Sequence, residues 1–210
     1  MDLFSRLAEL RVIPVLAVES VAAALPLADA LIAGGLPVAE ITFRTAAAAA
    51  VIRKLADERP SLLLGAGTVT HPDQAKAARD CGAAFAVAPG FNPKVVKAAQ
   101  AVGLPFAPGV MTPTDIEAAL DAGLQVFKFF PAEAAGGVKM LKSLTAPYAH
   151  LGVRFIPTGG VSLSNVQDYL NTPEVLAVGG TWLATKGDIA AGQWDKIAQA
   201  CREVRGLPAS

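Results

Sequence analysis

Residues 38–66, VAEITFRTAAAAAVIRKLADERPSLLLGA, contain the pattern that decides the fold. They begin with a β-rich run, Val38–Phe43, continue through an alanine-rich segment, Thr45–Glu58, and end in a second apolar run, Leu62–Ala66. Alanine favours helix, whereas short β-branched and aliphatic runs bounded by turn residues favour strands. The stretch therefore predicts a strand–helix–strand unit, from which parallel sheets are built.

The same alternation extends over the whole chain. The predicted strands are Val12–Val18, Val38–Phe43, Leu62–Ala66, Phe85–Ala88, Phe106–Val110, Gln125–Phe130, Arg154–Pro157 and Val175–Val178. The predicted helices are Ser20–Ala33, Thr45–Glu58, Pro72–Cys81, Pro93–Ala101, Pro113–Asp121, Gly137–Leu144, Ser164–Leu170 and Asp195–Val204. Eight strand–helix units in one chain predict a (β/α)8 TIM barrel.

Two features outside these units refine the prediction. An extra N-terminal helix, Asp2–Leu10, precedes the first strand and could cover the bottom of the barrel. An open doubly wound sheet is the alternative, but it would need a glycine-rich turn after the first strand, where Ala17-Val18-Glu19-Ser20 stands. No linker interrupts the chain, so residues 1–210 are expected to form a single domain. Functional residues of a barrel lie at the carboxyl ends of its strands.

Composition excludes several classes of protein. Eighteen basic residues balance eighteen acidic ones, so neither nucleic acid nor an anionic membrane surface is an expected partner. Hydrophobic residues make up 53% and charged residues 17%, which argues against disorder. The N-terminus lacks a signal-peptide pattern, and no stretch approaches ~18 uninterrupted apolar residues. Two cysteines cannot form a disulfide framework, and no cluster has metal-ligand spacing. We therefore expect a cytoplasmic protein without a metal site.

The second predicted strand carries a polar face. Side chains alternate across a strand, so Glu40, Thr42 and Arg44 point to one side and the apolar residues to the other. The apolar side suits contact with helices, which leaves the polar side to face the barrel interior. Charged groups pointing inward are unfavourable unless they are paired or used. A buried ion pair between Glu40 and Arg44 is the structural alternative to a functional site.

The sixth predicted strand, QVFKFFP, places Lys128 in an aromatic run. Lysine is rarely buried without a partner. An apolar environment disfavours the ammonium form, and the neutral amine is the form that attacks a ketone to give an imine. Lys128 could instead reach the rim or pair with Glu40. If both face the barrel interior, the carboxylate is a general base beside an amine nucleophile, and Arg44 can hold a substrate carboxylate through two hydrogen bonds.

Glycine pairs follow the last two predicted strands, in PTGGVS (157–162) and VGGTWL (178–183). The loops after strands seven and eight are the usual phosphate site of this architecture. Glycine allows backbone amides to approach an anion closely. No cluster of lysine or arginine adjoins these loops in the sequence, so the phosphate would be held mainly by backbone amides.

These motifs together resemble the 2-dehydro-3-deoxy-phosphogluconate (KDPG) aldolases, some of which also act as 4-hydroxy-2-oxoglutarate (KHG) aldolases. The matching stretches, all between Val38 and Leu183, are VAEITFRT, GAGTV, FAVAPGFN, PGVMTP, FKFFPAEAAGGVK, PTGGVS and VGGTWL. The resemblance implies a class I (Schiff-base) aldehyde-lyase that cleaves 2-dehydro-3-deoxy-6-phosphogluconate to pyruvate and glyceraldehyde 3-phosphate. It also implies possible cleavage of 4-hydroxy-2-oxoglutarate to pyruvate and glyoxylate, a place in the Entner–Doudoroff pathway, a homotrimer, and no cofactor or metal.

The resemblance also assigns roles to residues. It places the Schiff-base amine at Lys128 and the general acid/base at Glu40. The implied substrate-binding residues are Arg44 and Thr68 for the pyruvate carboxylate, Pro89 and Phe130 for the pocket wall, and Gly159, Gly160, Gly180 and Thr181 for the phosphate. Thr181 stands where serine is commoner in the family, which keeps the hydroxyl but adds a methyl group.

Two other classes of function remain open from the residues alone. A barrel isomerase or lyase could use Lys128 as a plain cation, and trapping of an imine would distinguish it. A scaffold or binding module could keep the barrel without catalysis, and a turnover assay would distinguish that.

Overall fold

The computed structural model describes residues 2–208 and is an α/β fold with parallel strands. The strands are β1 Val12–Leu16, β2 Val38–Thr42, β3 Leu63–Gly67, β4 Phe85–Val87, β5 Phe106–Ala107, β6 Gly109–Val110, β7 Val126–Phe129, β8 Arg154–Pro157 and β9 Val178–Gly180. Six of them form a sheet in the order β5-β4-β3-β2-β1-β9, and three form a second sheet in the order β6-β7-β8. Isolated bridges join Phe155 to Val175 and Thr158 to Gly179.

Ten α-helices are described in the same range. They are α1 Leu3–Leu10, α2 Ala24–Ala33, α3 Ala48–Glu58, α4 Pro72–Asp80, α5 Pro93–Ala101, α6 Pro113–Asp121, α7 Gly137–Thr145, α8 Val166–Leu170, α9 Lys186–Ala190 and α10 Trp194–Arg205. The expected α/β alternation is therefore confirmed. No helix within residues 2–208 is long and apolar enough to cross a membrane.

The helix starts follow from local chemistry. Prolines open α4, α5 and α6, where the first turn needs no amide donor. The residue before each proline supplies the cap: the His71 imidazole accepts from the Asp73 amide, the Asn92 side chain from the Lys94 amide, and the Thr112 hydroxyl from the Asp115 amide. His71 is therefore the N-cap of α4.

Two of the predicted strands differ from the observed ones by more than one or two residues at their ends. The run Phe106–Val110 is divided at Pro108, which has no amide hydrogen to continue the ladder. The last strand begins at Val178 and includes both Gly179 and Gly180, whereas the prediction ended it at Val178. The sequence predicts a loop at this glycine pair, but Gly179 and Gly180 register with Ile13 and Pro14 of β1.

The helix predictions were less complete. The segment Ser20–Ala33 divides into a 3-10 turn, Val21–Ala23, and α2, while α3 begins three residues after the expected Thr45. The short helix α9 and a 3-10 helix, Ala146–Leu151, were not predicted. Both are too short for a periodic apolar pattern to show.

The N-terminal helix lies at the amino ends of the strands. The Arg6 guanidinium donates to the carbonyl of Ser61 just before β3, at 2.8 Å. Phe4 lines a small cavity with Phe106 and Val126 at the amino ends of β5 and β7. This agrees with the expected cover and leaves the carboxyl ends of the strands open.

The core lies between strands and helices. All residues of β1, β2 and β3 are buried. Phe127 of β7 packs edge-on against Phe155 of β8, with ring centroids 5.5 Å apart. Both cysteines are free and buried, and burial raises the pKa of the Cys201 thiol to about 12. The thiols therefore belong to the packing of the protein.

Candidate active site

Lys128 occupies the middle of β7, between Gly109 of β6 and Ile156 of β8. Only 5% of the residue is exposed. Its Nζ lies 3.1 Å from Oε1 of Glu40, which is 1% exposed, and 5.7 Å from the centroid of the Phe130 ring. Lys128 and Glu40 are 88 positions apart in the chain. Lys128 therefore does not reach the rim of the barrel. Its partner is Glu40, one of the alternatives that the sequence left open.

Glycine makes room for this carboxylate. A Cβ at Gly67 of β3 would lie 2.2 Å from Glu40 Oε1 and 2.7 Å from its Cγ. Gly65, two residues earlier on the same side of β3, makes room in the same way for the Phe85 ring. The space beside Lys128 is thus filled by a side chain from β2 because β3 offers none of its own.

Arg44 takes part in a different contact from the expected ion pair with Glu40. Its Nε donates to the Thr42 hydroxyl at 3.2 Å, and that hydroxyl donates to the Leu16 carbonyl at 2.9 Å. Thr42 is buried, whereas Arg44 is exposed just beyond the end of β2. Thr42 therefore fixes the stem of the guanidinium, and no ion pair holds its terminal nitrogens among the described residues.

These groups line one cavity of about 200 Å³ at the carboxyl ends of the strands. Eight of the ten residues assigned from the sequence line it: Glu40, Arg44, Thr68, Pro89, Lys128, Phe130, Gly159 and Thr181. Gly160 and Gly180 lie outside its lining. The other lining residues, which sequence reasoning did not assign, are Val15, Thr42 and Thr158.

Thr68 has an unusual backbone. It follows β3 with φ 57°, and within residues 2–208 it is one of two non-glycine residues with positive φ. Such a conformation costs of order 1–3 kcal/mol and persists only when the surroundings impose it. Its location in the wall of the cavity indicates a positioned hydroxyl, which composition and periodicity could not reveal.

Glu133 contacts the loop after β8. The Glu133 amide donates to the Gly159 carbonyl at 3.0 Å, and a Cβ at Gly160 would lie 2.6 Å from the Cβ of Glu133. The hydroxyl of the buried Tyr169 donates to the Glu133 carboxylate. Burial is the main cause that raises the pKa of Tyr169, and the hydrogen bond to Glu133 adds to it. The Tyr169 hydroxyl is therefore a neutral donor at physiological pH. Gly160, with φ 80°, therefore has both a conformational and a steric reason to be glycine.

The glycines of β9 have packing reasons of their own. A Cβ at Gly180 would lie 1.9 Å from the Trp182 ring, and one at Gly179 would lie 2.3 Å from the Thr158 hydroxyl. Gly180 thus leaves room for the Trp182 ring, and Thr181, which lies between the two, lines the cavity. The sequence motif indicated glycine loops but could not indicate which side chains cover them.

A second cavity of about 280 Å³ adjoins the first and shares Val15, Arg44 and Thr181 with it. Its remaining lining residues are Ala17, Ala184, Thr185 and Lys186. The sequence offered no basic cluster next to the glycine pairs. The structure brings two cations to the space beside Thr181, Arg44 from just beyond β2 and Lys186 from α9.

The chemistry available here is limited by what the side chains can do. A buried amine within hydrogen-bonding distance of a carboxylate can give up its proton and attack a carbonyl carbon. A guanidinium at the same mouth can hold an anionic group of the molecule that carries this carbonyl. The arrangement is suited to imine chemistry on a keto acid.

Comparison with known proteins agrees with this chemistry. The family model for KDPG and KHG aldolases matches residues 3–200. The 2-dehydro-3-deoxy-phosphogluconate aldolase of Haemophilus influenzae is 48% identical over 203 residues, covering 97% of this chain and 95% of that protein.

Two solved structures are also similar. The KDPG aldolase of Legionella pneumophila, with pyruvate captured as a covalent carbinolamine, superposes with a TM-score of 0.92 at 38% identity over 97% of this chain and 98% of that one. The corresponding aldolase of Zymomonas mobilis with 3-phosphoglycerate has a TM-score of 0.90 at 38% identity, covering 100% and 98%.

Proposed function

The chain belongs to the KDPG and KHG aldolase family, and we propose that it is a class I aldolase with Lys128 as the Schiff-base residue. Its substrate would be 2-dehydro-3-deoxy-6-phosphogluconate, cleaved to pyruvate and glyceraldehyde 3-phosphate, with 4-hydroxy-2-oxoglutarate as a second substrate giving pyruvate and glyoxylate. One observation carries the proposal: the buried Lys128 amine lies 3.1 Å from the Glu40 carboxylate in a cavity at the carboxyl ends of the strands.

The proposed reaction begins with addition. Glu40 accepts the Lys128 proton, and the free amine attacks the C2 ketone to give a carbinolamine. Glu40 then returns a proton to the departing hydroxyl, so that water leaves and an iminium forms. Removal of the C4 hydroxyl proton by Glu40, directly or through a water, breaks the C3–C4 bond. The bonding pair passes to the iminium, giving an enamine and releasing the aldehyde. Protonation of C3 and addition of water then release pyruvate and Lys128.

The remaining residues would bind and orient the substrate. Arg44, fixed by Thr42, and Thr68 are suited to the pyruvate carboxylate. Pro89 and Phe130 would form the walls, and the amides of Gly159 and Gly160 with the hydroxyl of Thr181 would hold the phosphate. In our proposal Gly180 supports this site indirectly. A larger residue at position 180 would collide with the Trp182 ring and displace the backbone at Thr181.

The proposal extends to the architecture. We propose that the two sheets form one closed (β/α)8 barrel, with β5 and β6 as a single interrupted strand, and that residues 1–210 are one domain. The bridge between Thr158 and Gly179 and the KDPG aldolase structures above support this closure. By the resemblance to the family we also propose a cytoplasmic homotrimer that needs no cofactor.

The direct test is turnover. Purified protein would be incubated with each of the two substrates, and the pyruvate formed would be measured with a coupled lactate dehydrogenase assay. Pyruvate should appear with both substrates. Absence of pyruvate from both, with a folded protein, would contradict the proposal.

Gly67→Ala should lower kcat while the protein stays folded. The glycine has an ordinary φ, so the backbone tolerates alanine, but the new Cβ would displace the Glu40 carboxylate. Partial loss of a positioned acid/base predicts a fall of about 10–100-fold, at or below the lower limit of the roughly 10²–10⁴-fold that general acid–base catalysis supplies. Gly90→Ala is the matched control, because a Cβ at Gly90 meets nothing within 4 Å. Equal activity of the two variants would mean that the position of Glu40 does not matter.

Thr181→Ala should weaken cleavage of the phosphorylated substrate more than that of 4-hydroxy-2-oxoglutarate, which has no phosphate. One neutral hydrogen bond is worth about 0.5–1.5 kcal/mol, or roughly twofold to tenfold in kcat/KM. Gly160→Val should show the same bias more strongly, because its side chain would collide with Glu133 and shift the loop that carries the backbone amides. Thr181→Ser keeps the hydroxyl and should keep the wild-type ratio of kcat/KM values. Equal losses on both substrates would place the phosphate elsewhere.

A further inference from the structure

The second cavity, next to the proposed substrate cavity, contains a cation that no proposed step uses. Lys186 is the first residue of α9 and lines this cavity together with Arg44 and Thr181. None of the residues lining the cavity is acidic. Two cationic side chains, Arg44 and Lys186, therefore line this cavity together with Thr181.

The present partner of Lys186 is weakly held. Its Nζ lies 3.0 Å from Oε1 of Glu19, in the loop after β1, and the two side chains are 63% and 67% exposed. Ion pairs with this exposure contribute about 0–1 kcal/mol, because water solvates both groups almost as well. Lysine is also long and flexible, so the ammonium can leave Glu19 at little cost.

A phosphate offers this ammonium a stronger partner. It carries up to two negative charges and three acceptor oxygens, whereas Glu19 carries one charge. The terminal phosphate of the proposed substrate lies four carbons beyond the ketone that reacts with Lys128, so it must occupy the outer part of the site. The outer space that continues from Thr181 is the one lined by Lys186.

We propose that Lys186 is a specificity-determining residue that leaves Glu19 to bind the terminal phosphate of the substrate, and that Glu19 competes with this phosphate. The inference rests on the proposed function, because it needs a phosphorylated keto acid anchored at Lys128. It adds a charged contact to a phosphate site that otherwise consists of amides and one hydroxyl. It also assigns opposite effects to the two members of one ion pair.

The test compares kcat/KM for 2-dehydro-3-deoxy-6-phosphogluconate and for the same sugar acid without its phosphate. Lys186→Gln should lower the ratio of the two values by about fivefold, the size expected for one solvent-exposed, charge-assisted contact. Glu19→Gln should raise the ratio by about twofold, since it removes the competitor. Added salt should lower the ratio more in the wild type than in Lys186→Gln, because screening weakens an exposed charge contact.

The control is Lys54→Gln, which removes one positive charge from another exposed ion pair, Lys54 with Glu58 on α3. It should leave the ratio unchanged. A lower ratio in all three variants would mean that general charge or damage is responsible, and an unchanged ratio in Lys186→Gln would mean that Lys186 does not meet the phosphate. Either outcome overturns the inference. Failure of the proposed function itself would look different, because the wild type would then release no pyruvate from either compound.

Discussion

Replacement of Lys128 by arginine should abolish aldol cleavage while leaving a folded protein. Arginine keeps a positive charge beside Glu40 but cannot form an imine with a ketone. Removal of a covalent nucleophile can cost about 10⁶-fold in kcat, and we expect a loss of this order. The measurement is pyruvate release from both proposed substrates, with circular dichroism and thermal unfolding as checks on the fold.

The covalent step can be observed independently of turnover. Incubation of the wild type with pyruvate and borohydride should reduce the imine to a stable secondary amine on Lys128. Trypsin does not cleave after a lysine modified in this way, so residues 98–139 should appear as one labelled peptide instead of two. The Lys128→Arg variant should give no label. A label on Lys139 or Lys142 of α7 would contradict the assignment.

The choice of arginine matters because the pair is buried. Lys128→Met would leave the Glu40 carboxylate without a partner at 1% exposure. Removing one member of a buried ion pair typically costs about 3–5 kcal/mol, so inactivity of that variant could reflect unfolding. The double variant Lys128→Met with Glu40→Gln removes both charges and should recover much of the stability without recovering activity.

How far the sequence leads can be judged on β2 and β7. Alternation alone put Glu40 and Arg44 on the inner side of β2, and aromatic context marked Lys128 on β7. The short distance between Lys128 and Glu40 needed the fold, because these strands are not neighbours in the sheet order. Periodicity also could not choose between Arg44 and Lys128 as the partner of Glu40, and both alternatives stood until the structure assigned Lys128.

The features that the sequence missed depend on contacts between distant residues. Gly67 matters because of Glu40, and Gly180 because of Trp182, and neither dependence is visible in a local pattern. Lys186 lies five residues beyond Thr181, but α9 turns it back to the cavity that Thr181 lines. Boundaries failed where one residue changed the local chemistry, as at Pro108, which divides a single predicted strand.

The second large effect concerns Glu40, because its pair with Lys128 has two interpretations. In one, the carboxylate only neutralises a buried ammonium. In the other, it moves protons during imine formation and carbon–carbon cleavage. Glu40→Gln separates them, since glutamine has nearly the same shape and can still contact Lys128 but does not exchange protons near neutral pH.

If Glu40 is the acid/base, kcat of Glu40→Gln should fall by about 10²–10⁴-fold. On long incubation the variant should still be labelled by pyruvate and borohydride, because the attacking amine belongs to Lys128 and borohydride traps each imine as it slowly forms. The expected signature is therefore slow turnover with a preserved adduct, which unfolding would not give. Gly67→Ala should show the same signature more weakly, since it moves the same carboxylate without removing it. If Glu40 served only as a counter-ion, kcat of Glu40→Gln would stay near the wild-type value, and the proton-transfer role would have to be given up.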